Sequence, residues 1–446
     1  MRFASFADIL RHFAACGDGA ALRCASGDTT ETLTYGALLS RVLSRAQALR
    51  DTGKTSLGVL CDGSADCVTE IFAAVEAGMQ VVLLNENADE AMLAHTDVDL
   101  LWGDAELVSE LSPALTDGVK DGKGKLLFFT SGTTAKNRAV VLTQESLCAS
   151  AWNGGALLPL SESDTLLCML PLDHVFGFVC GLLWGLSCGA CVALGRGARH
   201  YFDDCSFFAP TALSAVPQLI GFLLKQNVLN PELSLVLIGA GDCPPVIPQA
   251  LRARGIRVHF GYGLTETSSG VALSLGEDVY AMTVCPDDEI TLAPDGEILI
   301  RVPSCVMQGY YKDPAATAEA LKDGVLYTGD LGKFDENGLL HVIGRKKEIL
   351  VLSDGTKIFL PEYEQAIAAV LGQADFAVIE SGGAPALVLS GTEEDLAAAL
   401  SKIAPVMQAL PFGRRIKTGF ALPAPLPRTA TGKLKRWEIT EKVKAV

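Results

Sequence analysis

The feature that most constrains the fold is a repeated alternation of helix-like and strand-like stretches. Residues 35–49 and 67–77 have helical patterns, while residues 56–61 and 80–84 read as strands. Further strand patterns occur later, at residues 126–129, 165–170, 191–194, 235–239 and 258–260. Strands separated by helices form parallel sheets covered by helices, so the sequence predicts an α/β fold built from layered sheets.

The pattern changes in the last third of the chain. Residues 286–345 read as short strands separated by turn signals such as Pro294-Asp-Gly296, which predicts a small β-rich subdomain at about residues 280–345. The remaining hundred residues contain two helix-like stretches and a basic end. A length of 446 residues agrees with several folding units of this kind.

Charge excludes some partners. The formal net charge is −16, from 52 acidic and 36 basic residues. A chain this acidic repels phosphate, so neither non-specific nucleic-acid binding nor an anionic membrane surface is expected as its main partner. The mean hydropathy of +0.31 remains compatible with a loose membrane association.

The thirteen cysteines are scattered between Cys16 and Cys305 and form no even, closely spaced framework. This favours free thiols in a reducing compartment, and hence a cytoplasmic protein. The Cys188-Gly-Ala-Cys191 pair stands in an apolar run without basic neighbours, which favours core packing over redox or metal chemistry.

Residues 175–195 carry no charge, and glycines recur there at positions 177, 181, 185 and 189. Such a ridge of small residues is typical of membrane helix pairs and also of buried helices that pack closely. Five glycines and the absence of a basic flank favour the buried helix. The amino-terminal residues 1–16 predict an amphipathic helix and make a poor signal peptide, because Asp8 interrupts their apolar stretch.

The strongest local motif is a strand that runs into a hydroxyl-rich loop, Phe128-Phe-Thr-Ser-Gly-Thr-Thr-Ala-Lys-Asn-Arg138. Its backbone amides, hydroxyls and cations can bind phosphate oxygens. It differs from a Walker loop, and Gly261-Tyr-Gly263 is not a dinucleotide fingerprint because Glu266 stands at the third glycine position.

Other motifs follow in a fixed order along the chain. They are Pro171-Leu-Asp-His174-Val-Phe-Gly177, Phe260-Gly-Tyr-Gly-Leu-Thr-Glu266, Tyr327-Thr-Gly-Asp330-Leu-Gly332, Gly344-Arg-Lys-Lys-Glu-Ile349 and Pro427-Arg-Thr-Ala-Thr-Gly-Lys433. Together they resemble the adenylate-forming (AMP-binding, acyl-CoA synthetase) superfamily over about residues 30–436. The stretch from Met307 to Glu364, including Gln308-Gly-Tyr-Tyr-Lys-Asp-Pro314, looks most similar to the fatty acyl-CoA ligase branch.

The resemblance implies a role for each matching residue. Thr130, Ser131, Gly132, Thr133, Thr134 and Arg138 would hold the phosphates of ATP, Thr265 would contact the α-phosphate, and Glu266 would hold Mg²⁺. Tyr262 would stack on the adenine, and Gly239, Ala240 and Gly241 would line the other side of the base. Gly261 and Gly263, on either side of Tyr262, would also belong to the nucleotide-binding residues. Asp330 would accept hydrogen bonds from the ribose hydroxyls, which suits a two-oxygen acceptor, with Arg345 nearby. Lys433 would bridge the carboxylate and the α-phosphate, and His174 would stand at the entrance of the acyl pocket.

The resemblance also implies a division into two domains. Residues 1–345 would bind the nucleotide and the acyl group, and residues 346–446 would form a small mobile α+β lid. Lys347 occupies the hinge position. One site would then serve two reactions by exchanging the face of the lid that covers it.

The phosphate loop departs from the family's pattern. Ala135, Asn137, Arg138 and Ala139 stand where the family favours Gly, Pro, Lys and Gly. Arg138 retains the charge, whereas the alanines restrict conformations open to glycine.

The expected activity is that of an ATP-dependent acid–thiol ligase that joins an apolar, fatty carboxylic acid to coenzyme A. Two alternatives stay open. The acceptor could be an acyl carrier protein, since residues 414–446 hold nine Lys and Arg against two Glu and could steer an acidic partner. The chain could also bind nucleotide without turnover, because its phosphate loop is altered.

Overall fold

The structure is a computed structural model that describes residues 2–27, 29–102, 122–130, 138–241, 243–301, 305–351, 357–372, 374–428 and 434–444. Its first elements are α1 (Phe6–Cys16), β1 (Ala20–Ser26), β2 (Thr29–Thr34), α2 (Tyr35–Asp51), β3 (Ser56–Leu60), α3 (Ala65–Glu76), β4 (Gln80–Leu84), α4 (Glu90–His95), β5 (Leu100–Leu101), β6 (Lys125–Phe129), β7 (Ala139–Thr143) and α5 (Gln144–Leu157).

The middle of the chain continues the alternation with β8 (Thr165–Cys168), a π-helix (Gly177–Leu183), α6 (Trp184–Ser187), β9 (Cys191–Leu194), α7 (Tyr201–Phe208), β10 (Ala212–Ala215), α8 (Pro217–Gln226), β11 (Leu235–Ile238), α9 (Val246–Arg252), β12 (Arg257–Leu264) and β13 (Ser269–Ser274).

The last third contains β14 (Met282–Val284), β15 (Glu289–Leu292), β16 (Glu297–Arg301), β17 (Gly309–Tyr310), α10 (Pro314–Ala320), β18 (Leu321–Lys322), β19 (Val325–Phe334), β20 (Leu340–Arg345), β21 (Ile349–Val351), β22 (Lys357–Phe359), α11 (Leu360–Leu371), β23 (Phe376–Ser381), β24 (Ala384–Ser390), α12 (Glu393–Gln408), β25 (Thr418–Leu422) and α13 (Arg436–Lys444). The predicted α/β class is confirmed, and the predicted strand at residues 80–84 has its expected bounds.

Local chemistry sets where the early helices begin. The Thr34 hydroxyl accepts a hydrogen bond from the Ala37 amide and caps α2, and Ser64 caps α3 through the Cys67 amide. The predicted amphipathic helix at the amino terminus is α1, which buries Phe6, Ile9, Leu10 and Phe13.

Two large sheets organise the first 345 residues. The larger has the strand order β15-β16-β19-β20-β14-β13-β12-β11-β10-β8-β9-β1-β2, with β18 beside β19, and the other has the order β17-β7-β6-β4-β3-β5. In the larger sheet β9, β8, β10, β11 and β12 are parallel neighbours. Their carboxyl ends therefore meet at one edge, which is where ligands bind in sheets of this kind.

Of the later strands, β14, β15, β16, β18, β19 and β20 extend this larger sheet, since β14 pairs with both β13 and β20. Residues beyond 349 form their own sheets, β21-β22 and β23-β24-β25, and their own hydrophobic clusters. At the junction, the Phe359 ring lies against Gly344 so closely that a Cβ at position 344 would overlap it.

The glycine ridge at residues 177–189 is a packing surface against the larger sheet. A Cβ at Gly181 would lie 3.0 Å from the Cys168 Sγ, and one at Gly185 would lie 2.7 Å from a Val192 methyl group. The predicted helix is present over residues 175–187 and ends before Gly189 as expected, with a π-helical stretch at Gly177–Leu183 where Gly177 packs directly on the Pro171 carbonyl. In the described part of the chain, no helix has the length and apolar character needed to cross a membrane.

All thirteen cysteines are free thiols. Burial raises the pKa of both thiols of the Cys-x-x-Cys pair, that of Cys191 to about 11. Both are therefore protonated at neutral pH, in agreement with packing residues and not with reactive thiolates.

Candidate active site

The two ends of the predicted phosphate loop are joined to each other. The Thr130 amide donates to the Arg138 carbonyl at 3.0 Å, and the Arg138 amide donates to the Thr130 hydroxyl at 3.3 Å. These bonds extend the β6–β7 hairpin to the base of the loop. Ser131, Gly132, Thr133, Thr134, Ala135 and Asn137 lie outside the described residues, so the structure fixes where the loop starts and ends.

Glu266 lies in a single helical turn, Thr265–Thr267, directly after β12. Its Oε1 accepts a hydrogen bond from the Tyr310 hydroxyl at 2.8 Å, and its carbonyl accepts one from the Met307 amide at 2.7 Å. Thr265 is half-buried in the same turn. Because Tyr310 belongs to β17, these bonds connect the edge of the larger sheet to the sheet that carries the phosphate loop.

Arg138 also contacts Tyr310, on the ring and not on the hydroxyl. Its guanidinium lies over the Tyr310 ring, 5.0 Å from the ring centroid, and its Nε is 4.0 Å from the Asp313 carboxylate. Arg138 and Glu266 were predicted as separate phosphate and metal residues, and the structure joins them through Tyr310.

A second group forms around Asp330. Its Oδ2 accepts a hydrogen bond from the Tyr262 hydroxyl at 2.8 Å, and its Oδ1 lies 2.8 Å from the Arg345 Nε. The Asp330 side chain is 5% exposed and that of Arg345 is 51% exposed. Antiparallel pairing of β19 with β20 sets residues 330 and 345 opposite each other, which explains their contact. The structure thus brings three predicted nucleotide residues together.

The two phenols are hydrogen-bond donors. Burial raises the pKa of the Tyr262 hydroxyl well above its usual value, and the negative charge of Asp330 adds to this. Burial and the nearby Glu266 carboxylate likewise raise the pKa of Tyr310. Both hydroxyls therefore stay protonated at physiological pH and donate to the carboxylates beside them.

Position 263 has no room for a side chain, so only glycine fits there. A Cβ at this position would overlap the Ser269 carbonyl, whereas one at Gly261 would have its nearest neighbour at 3.8 Å. The register of β12 against β13 shifts between Tyr262 and Gly263. This bulge turns the chain from the strand into the Thr265–Thr267 turn, and so it aims Glu266.

The segment after β11 lies beside the segment after β8. The Phe176 ring occupies the space that a side chain at Gly239 would fill, with its Cζ 3.0 Å from a Cβ placed there. Ala240 has a left-handed backbone (φ +63°), and Gly241 borders Pro217. His174 is half-buried, and in the described part of the chain its side chain has no hydrogen bond. The segment predicted at the acyl pocket, residues 174–178, is therefore a neighbour of the segment predicted to line the adenine, residues 239–241.

Lys347 is exposed in the short turn Lys346–Glu348, between β20 and β21. Its neighbour Lys346 pairs with Asp295 at 2.6 Å and with Glu297 at 2.9 Å. Lys433 lies outside the described residues, so its predicted role remains a prediction, as does the hinge role of Lys347.

Tyr310 contacts two of the predicted site residues, Glu266 and Arg138, although the sequence motifs assigned it no role. A signal was present, because Tyr310 stands in the family-like stretch of residues 307–314. Its contacts with Arg138 and Glu266 depend on the pairing of β17 with β7, which no local pattern predicted.

In the part of the chain that the structure describes, no group of three or more His, Cys, Asp or Glu could hold a metal ion. Glu266 alone fits Mg²⁺ of the kind bound to nucleotides, because that ion takes one or two carboxylates and fills its other positions with phosphate oxygens and water. The second Glu266 oxygen accepts no hydrogen bond from any described residue.

Comparisons with known proteins agree with this geometry. Residues 105–311 match the model of the AMP-binding enzyme family. The chain is 30% identical to the oxalate–CoA ligase of Arabidopsis thaliana, over 79% of this chain and 75% of that protein. It is 27% identical to the long-chain-fatty-acid–CoA ligase FadD15 of Mycobacterium bovis, over 70% of this chain and 60% of that protein.

The fold is that of a solved relative, the O-succinylbenzoate coenzyme A synthetase MenE of Bacillus subtilis in complex with ATP and a magnesium ion. The TM-score is 0.77 at 23% identity, over 97% of this chain and 99% of that one. The CoA ligases among these proteins differ in their acids, so the expected fatty-acid branch is one of several represented. With 30% identity over three quarters of a curated relative and a match of residues 105–311 to the family's model, the chain belongs to the AMP-binding enzyme family, the adenylate-forming superfamily that includes the acyl-CoA ligases.

Proposed function

We propose that this protein is an ATP-dependent acid–thiol ligase. It converts an apolar carboxylic acid, with fatty acids as the first candidates, into an acyl-adenylate and then into an acyl-CoA, releasing pyrophosphate and AMP. The observation that supports this most is the presence of two residue groups, Tyr262–Asp330–Arg345 and Arg138–Tyr310–Glu266. They are connected by β12, which carries Tyr262, and by the turn after it, which carries Glu266. The free cysteines support a cytoplasmic location.

The two residue groups would bind different parts of ATP, the first its ribose and the second its phosphates and Mg²⁺. Asp330 is a buried carboxylate that the Tyr262 hydroxyl and the Arg345 guanidinium help to orient, and it would accept hydrogen bonds from the ribose hydroxyls. Arg138 and the loop that starts at Thr130 hold the phosphates. Mg²⁺, when bound, neutralises phosphate charge, and Glu266 would hold it.

Adenylation requires a carboxylate to attack phosphorus although both reactants are anions. Fixed positive charge and fixed donors lower this barrier because they need no reorganisation during the reaction. Lys433 would supply a compact cation between the two reactants. It lies in the carboxyl-terminal segment, residues 346–446, which we propose acts as a lid that moves about Lys347 between the two half-reactions.

The acid is proposed to be apolar because of the side chains near its expected site. Val175 and Phe178 are buried, and the Phe176 ring closes against Gly239. Ala215 ends β10 at the same edge. These groups suit an alkyl or aryl chain, whereas a second carboxylate, as in oxalate, would need a cation near it.

Pyrophosphate release tests the substrate directly. Purified protein is mixed with ATP, Mg²⁺ and acids of graded chain length, with benzoate-type acids and oxalate as comparison acids. We expect release with the alkyl acids, rising with chain length to an optimum. Release with oxalate alone would contradict the apolar acid, and no release with any acid would favour a nucleotide-binding protein without turnover.

The acceptor is tested by thioester formation with coenzyme A and with an acyl carrier protein in parallel reactions. We expect product with coenzyme A. If product forms with the carrier protein only, the acceptor is the carrier protein and not coenzyme A. The basic residues 414–446 would then be assigned to carrier-protein docking.

The two half-reactions are expected to separate by mutation. Lys433→Ala should slow adenylation about a hundredfold, as the loss of one fixed charge near developing charge does, and should leave thiol attack on a supplied acyl-adenylate. Lys347→Pro should do the reverse, because a rigid hinge hinders the second lid position. Rapid-quench measurement of each half-reaction checks this, and an equal loss of both steps in both variants would contradict a moving lid.

A further inference from the structure

Tyr310 lies between an anion and a cation that would otherwise attract each other. Its hydroxyl donates to the Glu266 Oε1 at 2.8 Å, and the face of its ring carries the Arg138 guanidinium at 5.0 Å. One side chain therefore contacts both the proposed Mg²⁺ ligand and the cation at the end of the phosphate loop.

The position of Tyr310 is fixed by its backbone. Tyr310 pairs with Val140 in the β17–β7 ladder, and its amide donates to the Thr317 hydroxyl at 2.9 Å. The preceding Gly309 has a φ of +151° and lies so close to Thr317 that a Cβ would come within 2.8 Å of its methyl group. The backbone that carries the ring is thus held by a strand, by α10 and by the close approach of Gly309 to Thr317.

We propose that Tyr310 is a positioning residue that keeps Arg138 and Glu266 apart and presents each of them to a different part of the magnesium–ATP complex. The inference rests on the proposed function. The hydroxyl orients the Glu266 carboxylate and leaves its second oxygen for the metal. The ring supports the guanidinium of Arg138, the residue at which the phosphate loop ends, whereas a direct Arg138–Glu266 ion pair would neutralise both charges before ATP arrives.

Two substitutions separate the two contacts. Tyr310→Phe removes the hydroxyl bond to Glu266 and keeps the ring beneath Arg138, whereas Tyr310→Leu removes both. The matched control is Tyr311→Phe, because the neighbouring hydroxyl bonds to Asp97 at 2.8 Å on an exposed surface. Binding of ATP is measured by isothermal titration calorimetry on the full-length protein, once with excess Mg²⁺ and once with EDTA, so the readout does not depend on turnover.

For Tyr310→Phe we expect an affinity for magnesium–ATP about tenfold below wild type, which is the effect typical of losing a group that orients a metal ligand. Its affinity for ATP in EDTA should stay within about twofold of wild type, because a hydroxyl that acts on the metal ligand alone leaves metal-free binding almost unchanged. Tyr310→Leu should weaken binding in both conditions, and Tyr311→Phe in neither.

The inference is overturned if Tyr310→Phe binds magnesium–ATP as wild type does, or if it loses equal affinity with and without Mg²⁺, since the second result is that of a general structural defect. In both of these cases the proposed function is still supported, provided that the wild-type protein binds magnesium–ATP. Failure of the wild-type protein to bind ATP in either condition would overturn the proposed function and this inference together. Thermal unfolding of each variant shows whether it is folded.

Discussion

Replacing Asp330 by alanine is expected to lower kcat/KM for ATP in the pyrophosphate-release assay by about a thousandfold. The substitution removes a buried acceptor and leaves the Tyr262 hydroxyl and the Arg345 guanidinium without it, both at 2.8 Å in the folded protein. Each lost hydrogen bond to a charged group costs about 1.5–3 kcal/mol, and two ribose bonds therefore suffice for a loss of this size.

The matched control is Glu289→Ala. Glu289 also pairs with an arginine in the same sheet, at 3.3 Å from Arg301, but both side chains are more than half exposed. An exposed ion pair contributes little, so kcat/KM should stay within about twofold of wild type. A loss smaller than tenfold for Asp330→Ala, with normal folding by circular dichroism, would exclude Asp330 from the ATP site.

Replacing Gly263 by alanine is expected to destabilise the protein by about 3 kcal/mol, because the new methyl group would overlap the Ser269 carbonyl and the backbone must move. The β12–β13 bulge that aims Glu266 would then be distorted, so adenylation should fall as well. Thermal unfolding measures the first effect, as a drop of roughly 3 °C in Tm for a chain of 446 residues, and pyrophosphate release measures the second.

Gly261→Ala tests whether this effect is steric. Gly261 lies two residues earlier in the same strand, and the nearest atoms to an added Cβ are 3.8 Å away, an ordinary contact. Its Tm should stay within about 1 °C of wild type, because the methyl group fits without movement of the backbone. If the two substitutions destabilise the protein equally, the strand tolerates no side chain at either position. The overlap at the β12–β13 bulge would then not be the cause of the lower stability of Gly263→Ala.

Much of the fold could be predicted from local patterns. The caps at Thr34 and Ser64, and the apolar run at residues 80–84, each determine an element through groups only a few residues apart. The π-helical stretch from Gly177 to Leu183 was not predicted, because it depends on how closely that segment packs against the Pro171 carbonyl and the larger sheet.

The candidate site divides in the same way. Motif order alone named Tyr262, Glu266 and Asp330, since their residue types suit nucleotide and metal binding. It did not show that Tyr262 is bonded to Asp330, or that Tyr310 links Glu266 to Arg138. Those hydrogen bonds join residues 68 and 44 positions apart in the chain.

By itself, the sequence determined the α/β class, the family and the set of chemical groups available to bind ATP, because periodicity and residue type are local properties. Only the tertiary structure decided which groups touch. The pairing of β17 with β7 and of β19 with β20 brings Tyr310 to Arg138 and Arg345 to Asp330. The physical reason is that strand register and sheet order depend on packing across the whole core, and no short stretch of sequence contains that information.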